Sequence, residues 1–302
     1  MKKQFDFVGK RVILFIIPLL LIAAGIVSFF IQGFNLGQDF TGGTSATYVL
    51  RNKDNSEEKI AVTDSVEKEL AAVYEAQGVS GAKVSANAED GSVTVKTTQI
   101  STETQLSIKD AVAEKYHIEE SEYQYENISG NVSKDLKEKA ITGGVIAVIL
   151  MLIYITIRFD WRSGIAAVVC LAHDVLIMMA AYTILQIPMD SNMIAAVLTI
   201  LGYSINATII VFDRIRENNR LYSKKAFAEN ANDGINETFT RSLNTTLTTL
   251  FTIGMIFILG PSSIKAFSLP IIVGVLAGLY SSVCLSSNIW ILLKGKKAFE
   301  KK

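Results

Sequence analysis

Residues 192–218 read NMIAAVLTILGYSINATIIVFDRIREN. The part from 192 to 212 is an apolar run, and charged residues follow it at once. At ~1.5 Å of helix rise per residue, such a run can cross the ~30 Å hydrocarbon core of a bilayer. Because Ser204, Asn206 and Thr208 lie inside the run, the stretch predicts a membrane span that carries polar groups.

Five further apolar runs of similar length occur along the chain, at 12–31, 140–157, 163–185, 243–260 and 268–293. Half of the 302 residues are hydrophobic, and the mean hydropathy is +0.34. The pattern predicts an α-helical polytopic membrane protein with six transmembrane helices. The first run is too long for a signal peptide and has no small-residue cleavage site, so it is predicted to be an uncleaved span. Cys170 and Cys284 both lie in apolar runs, so no disulfide is predicted.

Lysine and arginine residues near the spans indicate the orientation, because positive charge concentrates on the cytoplasmic side. One set of segments is rich in them: the N-terminus (Lys2, Lys3, Lys10, Arg11), the turn after span 2 (Arg158, Arg162), the segment after span 4 (Arg214, Arg216, Arg220, Lys224, Lys225, Arg241) and the tail 294–302. The opposite turns contain only Lys265. Both termini are therefore predicted to be cytoplasmic in a multi-pass cell-membrane protein.

The segment 33–139, between spans 1 and 2, is then predicted to be an extracytoplasmic domain. It contains 11 lysine and arginine residues against 19 aspartate and glutamate residues. Alternating strand patterns and two amphipathic helices, 63–77 and 103–116, follow in the order β-α-β-β-α-β, which predicts a small α+β ferredoxin-like domain. Capping-box spacings, Asp64 with Glu67 and Thr102 with Gln105, mark the two helix starts, and an EDG turn separates the middle strands. We interpret the domain as a binding module, and His117 as a surface residue.

Ionisable residues inside membrane spans usually serve function, and His173 and Asp174 lie at the midpoint of span 3. Two interpretations stay open: a proton-carrying pair in the bundle interior, or a structural hydrogen bond between helices. Asn206 in span 4 is by itself better explained as an amide that bridges helices, and Arg241 by a side chain that reaches the interface. Span 6 has small residues that allow close helix approach, at Gly274, Gly278, Ser281 and Ser282.

The charged cluster FDRIREN ends span 4, and Asp213 can pair with Arg216 at i, i+3. The residues that follow predict an amphipathic cytoplasmic loop over 213–240 on the membrane surface. The predicted organisation is therefore 1–32 for the N-terminus and first span, 33–139 for the outer domain, 140–293 for the remaining five spans, and 294–302 for a basic tail.

Several stretches in this order resemble the SecF subunits of the SecD/SecF family, within the resistance-nodulation-division superfamily. They are FNLGQDFTGGT after span 1 (with Asp39, Gly42 and Gly43), RFDWR, LAHDVLI, IAAVLTILGYSIN, FDRIREN (with Asp213, Arg214, Arg216, Glu217 and Asn218) and TRSLNTTLTTL. Together they cover nearly the whole chain.

The resemblance implies a subunit, not an enzyme, that assists preprotein export by using the proton-motive force. It implies SecD and the SecYEG channel as partners, with YajC and SecA acting in the same system, and translocating preproteins as the cargo. No cofactor, metal or nucleic acid is expected, and the chain has no phosphate-binding GxxxxGK[ST] loop. The implied ion or proton relay comprises Asp174, His173, Asn206 and Arg241.

The sequence departs from the family pattern at one position: Ala207 follows GYSIN, where the family commonly has an aspartate implicated in proton transport. Alanine cannot bind a proton, so SecD could supply the carboxylate, Asp174 and His173 could take its place, or this subunit could be uncoupled or use another ion. The alternatives for function are a passive stabilising subunit of the translocon, a small-solute exporter of the same superfamily and, more distantly, an intramembrane protease.

Overall fold

The structure is a computed structural model that describes residues 5–53, 59–60, 62–87, 91–260 and 262–301. Lys2, Lys3 and Lys302 of the predicted basic flanks lie outside these ranges, as do Glu89 and Asp90 of the predicted EDG turn. The chain divides into two compact units: residues up to Asn35 together with Ala140 onward, and Leu36–Lys139. We treat each unit by itself.

The first unit is a bundle of long helices, and six helices of the described ranges are long and apolar enough to cross a membrane. They are α1 (Arg11–Gln32), α5 (Gly130–Arg158), α6 (Trp161–Ile184), α7 (Asn192–Leu221), α8 (Phe227–Leu259), and a last span in which α9 (Ser262–Tyr280) continues through a wide turn (Ser281–Leu285) into α10 (Ser286–Lys294). A short 3₁₀ turn, Gly295–Ala298, follows. The six spans predicted from the apolar runs are confirmed.

Helix α6 is the centre of this unit and contacts α1, α7, α9 and α10. Small side chains on α6 are fully buried, among them Ala166, Ala167 and Cys170, and they let neighbouring backbones approach closely. Large apolar side chains on α1, α5 and α8 point outward instead. That arrangement suits a bundle whose outer surface meets hydrocarbon, since exposing apolar groups to lipid costs nothing.

The segment predicted as an amphipathic loop over 213–240 is mostly helical, which corrects that prediction. Helix α7 continues to Leu221, and α8 begins at Phe227. The extensions are stable because their inner faces are buried, for example at Ile215, Ala231 and Ile235. The charges occupy only the outer face, so a two-sided helix was misread as a surface loop.

The second unit is a four-stranded antiparallel sheet in the order β2-β3-β1-β4, with two long helices and a short one. Its elements are α2 (Gln38–Thr41), β1 (Gly43–Val49), α3 (Asp64–Ala76), β2 (Lys83–Asn87), β3 (Ser92–Thr97), α4 (Thr102–Lys115), a 3₁₀ turn (Glu120–Glu122) and β4 (Gln124–Ile128). Between β1 and β4 the order is β-α-β-β-α-β, with β1 and β3 in the middle of the sheet. The predicted ferredoxin-like fold is confirmed.

The core of this unit contains a buried polar cluster as well as apolar side chains. The hydroxyls of Tyr48 and Tyr74 lie 2.7 Å apart, and Gln105 donates to the hydroxyls of Tyr48 at 3.3 Å and Tyr123 at 2.9 Å. Burial raises the pKa of Tyr48, and it raises the pKa of Tyr74 to about 12. Both phenols therefore stay neutral at physiological pH and serve as hydrogen-bonding groups.

Two predicted helix caps differ from the structure. The cap of α4 is Ser101, whose Oγ accepts from the Thr104 backbone at 3.1 Å, and Gln105 is in the buried tyrosine cluster instead of a capping box. At α3 the N-cap is Thr63, with no side-chain capping bond. The first of these differences has a clear cause: a side chain that reaches a buried polar partner inside the domain is unavailable to the helix end.

Residues Gly33–Asn35, predicted to start the outer domain, belong to the helical unit. Gln186 donates to the Gly33 carbonyl at 3.2 Å, Asn35 donates to the Gln186 carbonyl at 3.0 Å, and the Met189 backbone donates to the Asn35 carbonyl at 2.9 Å. These bonds join the end of α1 to the turn between α6 and α7. The boundary therefore lies after Asn35.

Candidate ion-relay site in the membrane helices

Asp174, near the middle of α6, is the centre of the candidate site. Its side chain is fully buried, and it is reached from three other side chains. His173 Nδ1 lies 2.8 Å from Asp174 Oδ1, while Ser281 donates to Oδ2 at 2.9 Å and Ser204 also donates to Oδ2. Side chains of the protein, not water, therefore supply the hydrogen bonds to this buried carboxyl group.

These partners come from three spans, so the site depends on how closely the spans pack. A methyl group added at Gly278 of α9 would lie 3.2 Å from Ser204 Cβ, and one added at Gly274 would lie 2.6 Å from Ile200 Cγ1. Both glycines thus let α9 approach α7 more closely than any other residue would allow. This close approach brings Ser204 and Ser281 to the same carboxylate oxygen.

The wide turn Ser281–Leu285 begins at Ser281, one of the residues that donate to Asp174. Its hydrogen bonding has five-residue spacing, as the Ser286 backbone N–H donates to the Ser281 carbonyl. Cys170 of α6 also directs its Sγ at the Ser281 carbonyl, at 3.7 Å. Such one-turn π segments occur frequently at functional sites, and this one directs both the side chain and the carbonyl of Ser281 toward α6.

His173 connects this buried site to a groove on the outside of the bundle. Its Nε2 is buried and has no hydrogen-bond partner among the described residues. The ring stacks toward Tyr280, with centroids 6.5 Å apart. The groove has a volume of about 260 Å³ and is otherwise lined by apolar side chains of α1, α6 and α9, such as Ile17 and Leu276. A proton or a small polar group at Nε2 would therefore be one imidazole ring away from Asp174.

The structure brings His173 and Asp174 together, but it places the other two predicted relay residues elsewhere. Asn206 and Arg241 are exposed on α7 and α8. Neither side chain forms a hydrogen bond with Asp174 in the described part of the chain. Ala207 is half-buried beside Asn206. Each of these helices therefore presents a polar side chain on its exposed surface.

Ser204 and Ser281 were not proposed as relay residues from the sequence. Serine is common in spans as a packing residue, and nothing in the local sequence distinguishes a serine that faces a carboxylate. A small-residue pattern in span 6 was the only available signal. It pointed to close helix approach, and the close approach is what assembles the site.

The FDRIREN motif connects three helices at the charged end of the bundle. Asp213 pairs with Arg158 of α5 at 3.1 Å, not with Arg216 as predicted, and Arg216 donates to the Arg158 carbonyl at 3.2 Å. Arg214 pairs with Glu217 at 2.7 Å and with Glu237 of α8 at 2.5 Å, and Asn218 donates to Glu237 at 2.8 Å. Tertiary partners replaced the local pair because α5 ends directly beside Asp213.

The motif after α1 fixes the backbone at the start of strand β1. Asp39 lies in the short helix α2, and Gly42 and Gly43 have φ angles of 70° and 126°. A side chain at Gly43 would collide with the Thr97 carbonyl of β3. Gln38 donates to the Thr44 and Thr97 carbonyls, so these residues fix the start of the central strand. Two glycines are needed here because other residues rarely adopt these angles.

Among the described residues, no three His, Cys, Asp or Glu side chains come together in a group that could hold a metal ion. The Asp174 site consists of one carboxyl group, one imidazole and two hydroxyl groups. Proton transfer and the making and breaking of hydrogen bonds are the events that such a site can support.

Comparisons with known proteins agree with this architecture. The family described as "Protein export membrane protein SecD/SecF, C-terminal" matches residues 107–296, and the "SecD/SecF GG Motif" matches residues 27–50. The protein translocase subunit SecF of Sebaldella termitidis is 37% identical over 94% of this chain and 90% of its own. The SecF of Petrotoga mobilis is 34% identical over 99% of both chains.

A solved structure shows the same fold. The crystal structure of SecDF from Thermus thermophilus, described as a translocon-associated membrane protein, has 33% sequence identity and a TM-score of 0.84. The match covers 98% of this chain but only 39% of the SecDF chain, so this chain corresponds to one part of that longer protein. The chain therefore belongs to the SecD/SecF family of protein-export membrane proteins, as a translocase subunit of the SecF type.

Proposed function

We propose that this subunit assists the export and release of preproteins by coupling the proton-motive force to movement of its helices, with Asp174 as the proton-binding group. The proposal depends on the surroundings of Asp174, a fully buried carboxyl group near the middle of α6. It has three side-chain partners: His173 of the same helix, and Ser204 and Ser281 of two other spans. Ala207 leaves no carboxylate at the position where the family commonly has one.

Protonation of Asp174 would change how the helices are held together. The ionised carboxylate accepts hydrogen bonds on one oxygen from Ser204 of α7 and from Ser281, the first residue of the wide turn after α9. A protonated carboxyl carries one O–H donor, so the oxygen that takes the proton must donate a hydrogen bond: to Ser204 or Ser281 if it is Oδ2, or toward His173 if it is Oδ1. Moving one charge through the membrane supplies ~2.3 kcal/mol per 100 mV, which is comparable to one hydrogen bond to a charged group.

The partner in this proposal is SecD, and the matched region of the SecDF chain supports it, because there the equivalent of this chain is joined to a larger partner portion. The exposed polar residues Asn206 and Arg241 are suited to a contact with another membrane protein, since the hydrocarbon chains of lipid cannot form hydrogen bonds with them. SecYEG would be the channel that the pair assists, with YajC and SecA in the same system.

The charge distribution supports an orientation with both termini in the cytoplasm and the domain Leu36–Lys139 outside. In that orientation the α+β domain could contact chains that leave the channel. We infer that ion passage through the helical unit changes the position of this domain in a cycle.

The test is late-stage preprotein release from vesicles that contain this protein, SecD and the channel, with and without an imposed proton gradient. Asp174→Asn keeps the shape of the side chain but cannot ionise, so the gradient-dependent part of release should be lost. Asp135→Asn, the same change at an exposed position, is the control and should respond as the wild type does.

A passive stabilising subunit is the second candidate, and Ala207 is the observation that favours it. In that case Asp174→Asn would leave the gradient response unchanged while the wild type still responds. Ala207→Asp would then be informative, because a gain in the response would show that the coupling carboxylate had been lost from this subunit.

A further inference from the structure

A cavity of about 300 Å³ lies at the basic end of the helical unit, separate from the Asp174 site. It is formed where the start of α6, the turn before α8, the end of α10 and the C-terminal residues meet. Its charged lining consists of five cationic side chains and one acidic side chain: Arg162, Lys225, Lys294, Lys297, Lys301 and Glu300.

The acidic side chains nearby neutralise only part of this charge. Lys225 pairs with Asp233 at 2.8 Å, and Lys301 lies 3.4 Å from Glu229. Arg162 is different: its nearest carboxylate contact, Nη1 to Asp160, is 3.6 Å long, and its Nε is buried without a hydrogen-bond partner in the described ranges. The guanidinium of Arg162, which lines the cavity, therefore has donor capacity left for an anionic acceptor.

Aromatic side chains place this cavity at the level of the lipid headgroups. Arg162 Cζ lies 4.9 Å from the ring of Trp161, which is half-exposed in the first turn of α6. Lys294 Nζ lies 4.1 Å from the centroid of Phe227 and 5.7 Å from that of Trp290. Tryptophan and basic residues at the end of a span are typical of the membrane–water interface.

An exposed apolar path along α6 begins at Trp161, the residue next to Arg162. Trp161, Ile165 and Val169 are spaced four residues apart on α6, and all three are exposed. They therefore share one face of the helix and run away from Arg162 toward the middle of the span. A soluble anion would not use this path, whereas the acyl chain of a lipid would lie along it.

We propose that the cavity binds the phosphodiester headgroup of an anionic phospholipid. The phosphate oxygens accept from Arg162 and the lysines, and one acyl chain packs on the α6 face. Basic pockets between transmembrane helices are suited to such headgroups, and charge-assisted bonds from arginine to phosphate are among the strongest hydrogen bonds in proteins. The bound lipid would join α6, α10 and the C-terminal residues.

The test uses the full chain in nanodiscs of phosphatidylcholine, with or without a minority of phosphatidylglycerol. Native mass spectrometry would count retained lipids, and thermal unfolding would be measured in parallel. The wild type should retain phosphatidylglycerol in preference to phosphatidylcholine. Arg162→Gln/Lys297→Gln should weaken that preference about tenfold or more, the effect expected for losing charge-assisted bonds.

The matched control is Lys224→Gln/Lys296→Gln, which removes the same charge at the same end of the unit from exposed residues outside the cavity. Equal loss in the control and the cavity variant would overturn the proposal, because general attraction to the surface would then explain the preference. Lys297→Gln alone, at an exposed residue, covers the case in which the Arg162 change prevents folding. It should weaken retention in the same direction, and unchanged retention would count against the site.

A further arm adds inorganic phosphate to the phosphatidylcholine nanodiscs. If phosphate raised the unfolding temperature as much as phosphatidylglycerol did, a soluble anion site would replace the lipid site. If phosphatidylglycerol alone did so, and Ile165→Gln/Val169→Gln reduced its retention, the lipid proposal would hold.

Discussion

Replacing Gly274 by alanine tests whether helix spacing assembles the Asp174 site. The added methyl would lie 2.6 Å from Ile200 Cγ1, with two further carbons of Ile200 within 3.0 Å. Carbon atoms pack comfortably at about 3.5–4.0 Å, so α9 and α7 must separate by roughly 1 Å unless Ile200 changes rotamer. Ser204 of α7 and Ser281 at the end of α9 both donate to the same Asp174 oxygen, so separating the two helices lengthens at least one of these hydrogen bonds.

Losing one hydrogen bond to a charged group costs about 1.5–3 kcal/mol, and overpacking a helix contact typically costs about 1–3 kcal/mol. At 1.4 kcal/mol per factor of ten, the assembled site should become roughly ten- to a hundredfold less populated. In the vesicle release assay we expect the gradient-dependent component to fall accordingly, while release without a gradient changes little.

Two further variants make the result specific. Gly254→Ala in α8 adds the same methyl group where no atom lies within 4 Å, so it should behave as the wild type does. Gly274→Ala/Ile200→Ala removes the colliding side chain and should recover much of the response. A Gly274→Ala protein that kept the full gradient response would refute the reasoning that close contact between α7 and α9 sets the site.

Two predictions concern the α+β domain of the full chain. Tyr48→Phe removes a buried hydroxyl that is hydrogen-bonded to Tyr74 and Gln105, so the free energy of unfolding measured by urea titration should fall by about 1–3 kcal/mol. The control, Tyr125→Phe on the edge strand β4, changes a half-buried tyrosine and should lower it by less than about 0.5 kcal/mol. Equal losses in the two variants would contradict the argument. Hydrogen bonds from Lys115 and then Tyr116 lower the pKa of Glu69, so the stability they give is present above the usual glutamate pKa and is lost as the pH falls through the lowered value. The free energy of unfolding should therefore fall more steeply on acidification for the wild type than for Glu69→Gln. Parallel curves for the two proteins would count against this link between the Glu69 pKa and stability.

The number of spans and the topology of the α+β domain could be predicted from the sequence because each depends on a long pattern. An apolar run of membrane length has few alternatives to a spanning helix, and six such runs gave six helices. Similarly, the alternation in β1 and β3 and the helical periodicity at 63–77 each involve many residues. Errors of one or two residues, such as Ser101 in place of Thr102 at the α4 cap, do not change these patterns.

The side-chain partners could not be predicted in the same way, because they depend on contacts between distant segments. Asp213 had a plausible local partner in Arg216, yet Arg158 lies closer in space. Asp174 could be identified from its depth alone, since an ionisable group there is rare. Ser204 and Ser281 contact the same Asp174 oxygen only because α7 and α9 pack closely together. No local sequence pattern predicts that packing.

The wide turn Ser281–Leu285 acts as a one-residue insertion in the register of the last span. An ordinary α-helix rotates by 100° per residue, so one extra residue in a turn changes by about that angle which faces of α9 and α10 are aligned. Ser281 faces Asp174 before the turn, while Asn288 after it donates to the Phe7 carbonyl at 3.2 Å. If the same residues formed a regular α-helix throughout, Asn288 would be rotated by about 100° relative to Ser281, so the two contacts could not both form. The wide turn therefore determines which side chains of the last span face the bundle, and the apolar composition of the span does not reveal this.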